Sequence, residues 1–116
     1  MKLKQFVETM SEILEIGNFT GADSSQNGLQ VGDFNAEIHK IAFAVDASLA
    51  TIKAASEQGA DVLFVHHGMF WNRSLTITGR HYNRVKALFD NNLALFACHL
   101  PLDAHMELGN NAQMAK

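Results

Sequence analysis

The chain has 116 residues, of which 47% are hydrophobic and 18% are charged, and its formal net charge is −3. This length and composition are typical of one small globular domain. The acidic balance argues against non-specific binding to nucleic acid, because no basic stripe is present to displace counterions from phosphates. The lone cysteine, Cys98, excludes a disulfide within the chain and favours a reducing compartment.

Membrane segments and targeting signals are not evident. No apolar run approaches the roughly 20 residues that a membrane helix needs, and the start of the chain, MKLKQFVETM, lacks the apolar core of a signal peptide. These features predict a cytoplasmic protein that makes no contact with a membrane.

The chain begins with an amphipathic helix. Residues 3–17 place apolar side chains at helical spacing and end at Gly17, a polar loop follows over 17–28, and 28–32 resembles a short edge strand. The later elements, in chain order, are a strand over 40–46, a helix over 48–59, a strand over 61–65, a helix over 80–92, a strand over 93–97 and the beginning of a helix near 107.

Strands and helices therefore alternate through most of the chain. The strands are apolar on both faces, which is typical of a parallel sheet that is covered by helices on both sides. We predict an α/β fold over residues 1–116, a single domain with a mainly parallel sheet and a βαβαβ core, preceded by the N-terminal helix.

Residues capable of metal or acid–base chemistry follow the predicted strands. In chain order they are Asp46, the pair His66 and His67, Cys98 with His99, and then Asp103 and His105. In open parallel sheets, ligands bind beyond the carboxyl ends of the strands. Four of the six histidines fall on this edge, whereas His39 and His81 lie elsewhere and are expected to be solvated.

Imidazole and carboxylate groups suit zinc, iron or manganese. Neighbouring residues of a strand point to opposite faces, so His66 and His67 share one site only where the strand breaks, and Gly68 permits a break. Alternatively, the two histidines serve two ions that Asp103 bridges. A two-metal site of this kind activates a water molecule and holds a substrate oxygen.

Other interpretations of these residues remain open. A single histidine at a strand end is usually a hydrogen-bonded surface residue, and Asp46 is as plausible an N-cap as a metal ligand. Cys98 is expected to be a small core residue. The apolar segment GMFW over 68–71 forms either a pocket wall or a contact with another subunit, and the second interpretation is favoured slightly.

Four segments together resemble a known family. They are SSQNGLQVG (24–32), FAVDAS (43–48), VHHG (65–68) and HLPLDAHMELGNN (99–111). In this order they resemble the N-terminal half of the NIF-three-like family, whose bacterial members are often labelled GTP cyclohydrolase 1 type 2 homologues. The resemblance implies an α/β fold, a toroidal hexamer and a dinuclear centre of divalent metal ions.

The resemblance also implies roles for individual residues. His66 and His67 match the paired histidine ligands, and Asp103 matches the aspartate that contacts the metals. His99 and His105 then become candidate catalytic residues, which orient ligands or transfer protons. Family members are longer and carry further ligands, a histidine and a glutamate near the C-terminus, that have no counterpart in these 116 residues, so we expect a half-built site.

Two functions follow as hypotheses, and a purely structural reading stands beside them. The first is a metal-dependent hydrolase whose small-molecule substrate is a nucleotide or another phosphoester; only a partial candidate for a phosphate cradle is present, over 20–28. The second is a non-catalytic, metal-binding ring of identical subunits with a regulatory or partner-binding role. In the structural reading, backbone groups satisfy the histidines of a metal-free domain.

Overall fold

The computed structural model describes residues 1–16, 26–71 and 75–99. This part of the chain contains, in order, α1 (Leu3–Ile13), β1 (Gly28–Val31), β2 (Ile41–Asp46), α2 (Leu49–Glu57), β3 (Val62–His67), α3 (Gly79–Asp90) and β4 (Ala94–Ala97). None of these helices has the length and apolar character that crossing a bilayer requires. The helix predicted near residue 107, and the predicted loop as far as residue 25, lie outside the described residues.

The four strands form one sheet in the order β1-β4-β3-β2. β3 pairs in parallel with both β2 and β4, whereas β1 pairs antiparallel with β4 at the edge of the sheet. The predicted α/β fold with a mainly parallel sheet is therefore confirmed. The antiparallel edge strand precedes the βαβαβ core in the chain and closes the sheet on the side of β4.

Helices cover both faces of the sheet, as predicted. Val62 and Phe64 of β3 pack in a cluster with the buried residues of α1. The alternate residues of β3, Leu63 and Val65, pack in a second cluster with the buried residues of α2 and α3. Cys98 is fully buried in the α1 cluster, which confirms its predicted place in the core. Burial on both faces explains why β3 and β4 lack polar alternation.

The start of α2 is fixed by a capping residue. The Ser48 hydroxyl accepts a hydrogen bond from the Thr51 backbone N–H at 3.2 Å, which satisfies one of the free donors of the first helical turn. Ser48 is therefore the N-cap, and Asp46 is left available for another contact.

β2 is the other edge strand of the described sheet, and no described element covers one of its faces. Phe43 and Val45 are 71% and 62% exposed, although Ala42 and Ala44 on the opposite face pack against the core. Apolar side chains on an unpaired strand edge offer a surface on which another chain can pair.

His81 differs from the expectation that it would be solvated. The residue lies on α3, is only 9% exposed, and its ring centroid lies 5.1 Å from that of Phe70 in an edge-on contact. Neither ring nitrogen has a hydrogen-bond partner among the described residues. Burial, and secondarily the charge of Arg84, lower the pKa of His81 from its ordinary value of 6.5.

The lowered pKa of His81 predicts acid-sensitive stability. The folded chain takes up fewer protons at this site than the unfolded chain, so the stability gained from the neutral ring is present above the ordinary pKa and is lost as the pH falls through the lowered one. Denaturant unfolding at about pH 7.5 and about pH 5.5 should show a smaller loss of stability for His81→Phe than for the wild type. His39→Gln, which removes an exposed imidazole, is the control. Equal acid sensitivity of His81→Phe and the wild type would contradict the assignment.

Candidate metal centre

The ends of β3 and β4 bring three imidazoles to one edge of the sheet. The first four residues of β3 are buried, His66 is half-buried, and His67, the last residue of the strand, is exposed. β4 runs alongside in parallel, and the backbone N–H of Cys98 continues the ladder by donating to the Val65 carbonyl at 2.9 Å. The next residue, His99, therefore lies beside the histidine pair.

The three rings form a compact cluster. Ring centroids are separated by 4.5 Å for His66–His67, 4.8 Å for His66–His99 and 5.3 Å for His67–His99. Each residue offers one ring nitrogen, and these three atoms all lie within 4.8 Å of one another. The two adjacent histidines thus share one cluster at the point where β3 ends.

The donor set fits a divalent ion. Three nitrogens bound at about 2.1 Å in tetrahedral geometry stand roughly 3.4 Å apart. The three nitrogens of the present cluster lie within 4.8 Å of one another, which is wider than that spacing but close enough for the three residues to hold one ion. Neutral imidazole suits zinc, iron and other first-row metals.

Asp46 orients the most exposed of the three rings. Its register partner across β2 and β3 is His67, and the carboxylate oxygen Oδ1 lies 2.9 Å from His67 Nδ1. An ionised carboxylate only accepts hydrogen bonds, so this contact favours the tautomer of the neutral ring that has its proton on Nδ1 and its lone pair on Nε2. A carboxylate behind a histidine in this way is a usual companion of metal-bound imidazole. Asp46 is therefore placed to orient a ligand.

Gln30 of β1 holds the turn that follows the histidine pair. Its side-chain oxygen accepts from the backbone N–H groups of Met69 and Phe70, at 2.8 and 3.2 Å. Its amide nitrogen donates to the carbonyl oxygens of Gln26 and Phe70, at 2.8 and 3.0 Å. One side chain thus satisfies four backbone groups and fixes the path of the chain after His67.

Two residues just before β1 make further hydrogen bonds to the segments that follow β3 and β4. The side-chain oxygen of Asn27 accepts from the His99 backbone N–H at 2.8 Å. Gln26 bonds to the Phe70 carbonyl through its backbone N–H and to the Trp71 carbonyl through its amide, both at 3.2 Å. We call Gln26, Asn27 and Gln30 the polar clamp, because together they join β1 to the segments that follow β3 and β4.

Position 68 must be a glycine, because no side chain fits there. A Cβ at this position would overlap the side chain of Gln30 and would lie 2.7 Å from the Ala97 Cβ. The sequence suggested a glycine that lets the strand break, and the structure adds a steric reason: the turn passes too close to β1 and β4 for any larger residue.

The apolar segment after the histidines packs partly into the core and partly against the cluster. Met69 is buried, Phe70 packs against the core, and the Trp71 ring lies 5.1 Å from the His99 ring in an edge-on contact. The contact of Trp71 with His99 agrees with a pocket wall, and the subunit contact that the sequence slightly favoured stays a prediction.

The predicted site residues are only partly covered by the structure. His66, His67 and His99 lie together, and His99, expected to be a catalytic residue, has the geometry of a third ligand. Asp103 and His105 lie outside the described residues.

The polar clamp was missed, because NGLQVG in the sequence suggests only a turn and a short strand. Its signal was three amide side chains within and just before an edge strand, with no other role assigned to them.

Comparison with known proteins identifies the family. The profile of the family Duf34/NIF3 (NGG1p interacting factor 3) matches residues 1–116. The chain belongs to this family. The resemblance seen in the sequence segments is thereby confirmed.

Relatives of this NIF3 chain carry a common name. A GTP cyclohydrolase 1 type 2 homolog of Treponema pallidum (strain Nichols) is 53% identical over 102 residues, which are 88% of this chain and 36% of the relative. Another protein of that name, from Chlamydia muridarum (strain MoPn / Nigg), is 47% identical over 117 aligned positions. The alignment covers 100% of this chain and 46% of the relative.

A solved structure shows the same fold. The crystal structure of TTHA1606 from Thermus thermophilus superposes with a TM-score of 0.93 at 42% identity, covering 99% of this chain and 47% of that protein. The NIF3 chain therefore spans less than half the length of each of these three proteins.

Removal of the Gln30 side chain tests the polar clamp. Gln30→Ala leaves two backbone N–H groups without their acceptor, so we expect a loss of about 1–3 kcal/mol in the free energy of unfolding. Gln58→Ala, which removes the same amide from an exposed position, should change it by less than about 0.5 kcal/mol. Denaturant unfolding measures both values. Equal effects of the two substitutions would show that the clamp does not stabilise the turn.

Proposed function

We propose that this NIF3 chain carries a divalent-metal centre and functions as a metal-dependent hydrolase. Its proposed substrate is a nucleotide or another phosphoester. The observation that supports it is the cluster of three imidazoles, with ring nitrogens within 4.8 Å, at the carboxyl edge of the sheet. The name of the relatives, GTP cyclohydrolase 1 type 2 homolog, supports a nucleotide as the substrate class. A nucleotide-processing role also agrees with a cytoplasmic location.

His66, His67 and His99 are the proposed ligands from the described residues, and Asp103 remains a predicted one. Zinc, iron or manganese suits this set, and two ions per complete site are proposed, as the resemblance to the family implies. A bound ion of this type acts as a Lewis acid that activates water near neutral pH. His105 remains the candidate for proton transfer, whereas His99, the other residue that the sequence suggested for that role, is proposed as a metal ligand.

The neighbouring residues have supporting roles in this proposal. Asp46 Oδ1 lies 2.9 Å from His67 Nδ1, which orients the ring and leaves Nε2 as the proposed metal-binding nitrogen. The Asn27 side chain holds the backbone of His99 in place. The Trp71 ring packs edge-on against the His99 ring. These contacts position the ligands before an ion binds and so reduce the cost of ordering them.

A second candidate function is a non-catalytic, metal-binding ring with a regulatory role. The exposed Phe43 and Val45 on the edge strand β2 favour assembly of identical subunits, of which the toroidal hexamer is the proposed form. Under this candidate, the chain binds metal and assembles but does not hydrolyse phosphoesters. Sedimentation velocity of the purified chain tests the assembly, and a purely monomeric chain would contradict it.

Metal content is the first test of the proposal. Elemental mass spectrometry of the purified, tag-free chain should find about one or more equivalents of zinc, iron or manganese, because three imidazoles form a strong donor set. The double variant His66→Ala/His67→Ala should lose the metal. His39→Ala, which removes an exposed histidine outside the cluster, should keep it. Absence of metal from the wild type, even after incubation with divalent ions, would overturn the proposal.

Hydrolysis separates the two candidates. The metal-loaded chain should cleave a simple phosphoester such as p-nitrophenyl phosphate, and the His66→Ala/His67→Ala variant should not. Metal binding without cleavage of this ester or of GTP would favour the non-catalytic ring.

A further inference from the structure

A cleft lies beside the metal cluster and shares His67 with it. Its volume is about 570 Å³, and it is lined by the end of β2, the start of α2, the His67–Gly68 turn and two arginines of α3. Small-molecule sites occupy roughly 300–1,000 Å³, so the cleft is large enough for a metabolite of moderate size. The proposed role of the three imidazoles in binding metal does not explain why two arginines line this cleft.

Arg80 and Arg84 place two positive charges on this cleft. They lie four positions apart on α3, which puts both on one face of the helix. Arg84 is half-buried and donates from Nη1 to the Ala47 carbonyl at 3.3 Å, while its Nε has no hydrogen-bond partner among the described residues. Arg80 is exposed and makes no ion pair with any described residue.

The charge balance of the cleft favours an anion. Asp46 is the one carboxylate among its described lining residues, and its oxygen Oδ1 is already engaged with His67 Nδ1. The two guanidinium groups therefore outnumber the carboxylate. Arginine presents a planar fork of donors that matches the oxygens of phosphate.

The position of α2 adds a second attraction for an anion. Ser48, its N-cap, and Leu49, its first residue, both line the cleft, so the positive end of this nine-residue helix faces it. The position of Arg80 is also informative, because it is the second residue of α3, where the helix dipole disfavours a cation. A bound anion would remove that disadvantage.

We propose that Arg80, Arg84 and the N-terminus of α2 bind the phosphoryl group of a phosphorylated small molecule. Donors that converge from two side chains and a helix end suit a tetrahedral anion with several oxygens better than a planar carboxylate. Because His67 lines both sites, a phosphoryl group in the cleft lies next to the metal cluster. As a substrate subsite the proposal rests on the proposed hydrolase function, whereas the binding of phosphate itself requires no metal.

The test is a titration of the full chain, freed of metal with a chelator, with inorganic phosphate. Isothermal calorimetry should detect binding to the wild type, and Arg80→Gln should weaken it by about tenfold, since one charge-assisted contact is lost. Arg80 is exposed, so this variant should fold normally. Lys53→Gln makes the same charge change on the exposed surface of α2, outside the lining of the cleft, and should bind as the wild type does.

Further measurements show which groups of the chain bind the anion. Arg84→Lys keeps the charge but loses the fork, and should also weaken binding. Acetate at the same concentration should not bind, and equal binding of acetate would overturn the assignment to a phosphoryl group. Binding that requires added zinc and is unaffected by Arg80→Gln would assign the anion to the metal and overturn the role of the arginines.

The outcomes also separate this inference from the proposed function. No phosphate binding to a chain that holds metal would overturn the subsite and leave the metal centre intact. Arginine-dependent binding of phosphate to a chain that never holds metal would support the subsite and overturn the hydrolase proposal.

Discussion

Parallel pairing places the carboxyl ends of β2, β3 and β4 at one edge of the sheet, with Asp46 opposite His67 and Val65 opposite Ala97. The rest of the candidate site depends on this register. A shift of one residue would turn every side chain of β3 to the other face, because side chains alternate along a strand. The two buried clusters oppose such a shift, since each holds a different set of β3 side chains. Packing of the core therefore fixes the position of the imidazoles.

The strand ends alone would leave the loops after them free to move. The polar clamp supplies the missing constraint, because it connects β1 to the turn after His67 and to the backbone of His99. β1 is antiparallel to β4, so the residues that precede it lie at the same edge as the carboxyl ends of the parallel strands. An edge strand that contributes little to the core thus has a large share in shaping the site.

The sequence was sufficient to predict the fold class and the edge at which the histidines meet. Apolar runs without polar alternation, separated by helical spacing, specify a buried parallel sheet, and that topology determines where strand ends lie. The contacts of Gln30 and the pairing of Asp46 with His67 were beyond prediction from sequence, because they depend on strand order and register. The burial of His81 was missed for a similar reason: a polar residue on the inner face of α3 breaks the hydrophobic pattern that predicts burial. Asp103 and His105 remain predictions.

The central claim is that β3 and β4 together supply the three imidazoles of one metal centre. X-ray absorption spectroscopy of the zinc-loaded chain measures this most directly, because imidazole scattering identifies the number and distance of histidine ligands. We predict imidazole nitrogen at about 2.0–2.1 Å, with fewer imidazoles per zinc in His99→Gln than in the wild type. A shell made only of oxygen ligands, or a spectrum that His99→Gln leaves unchanged, would contradict the account.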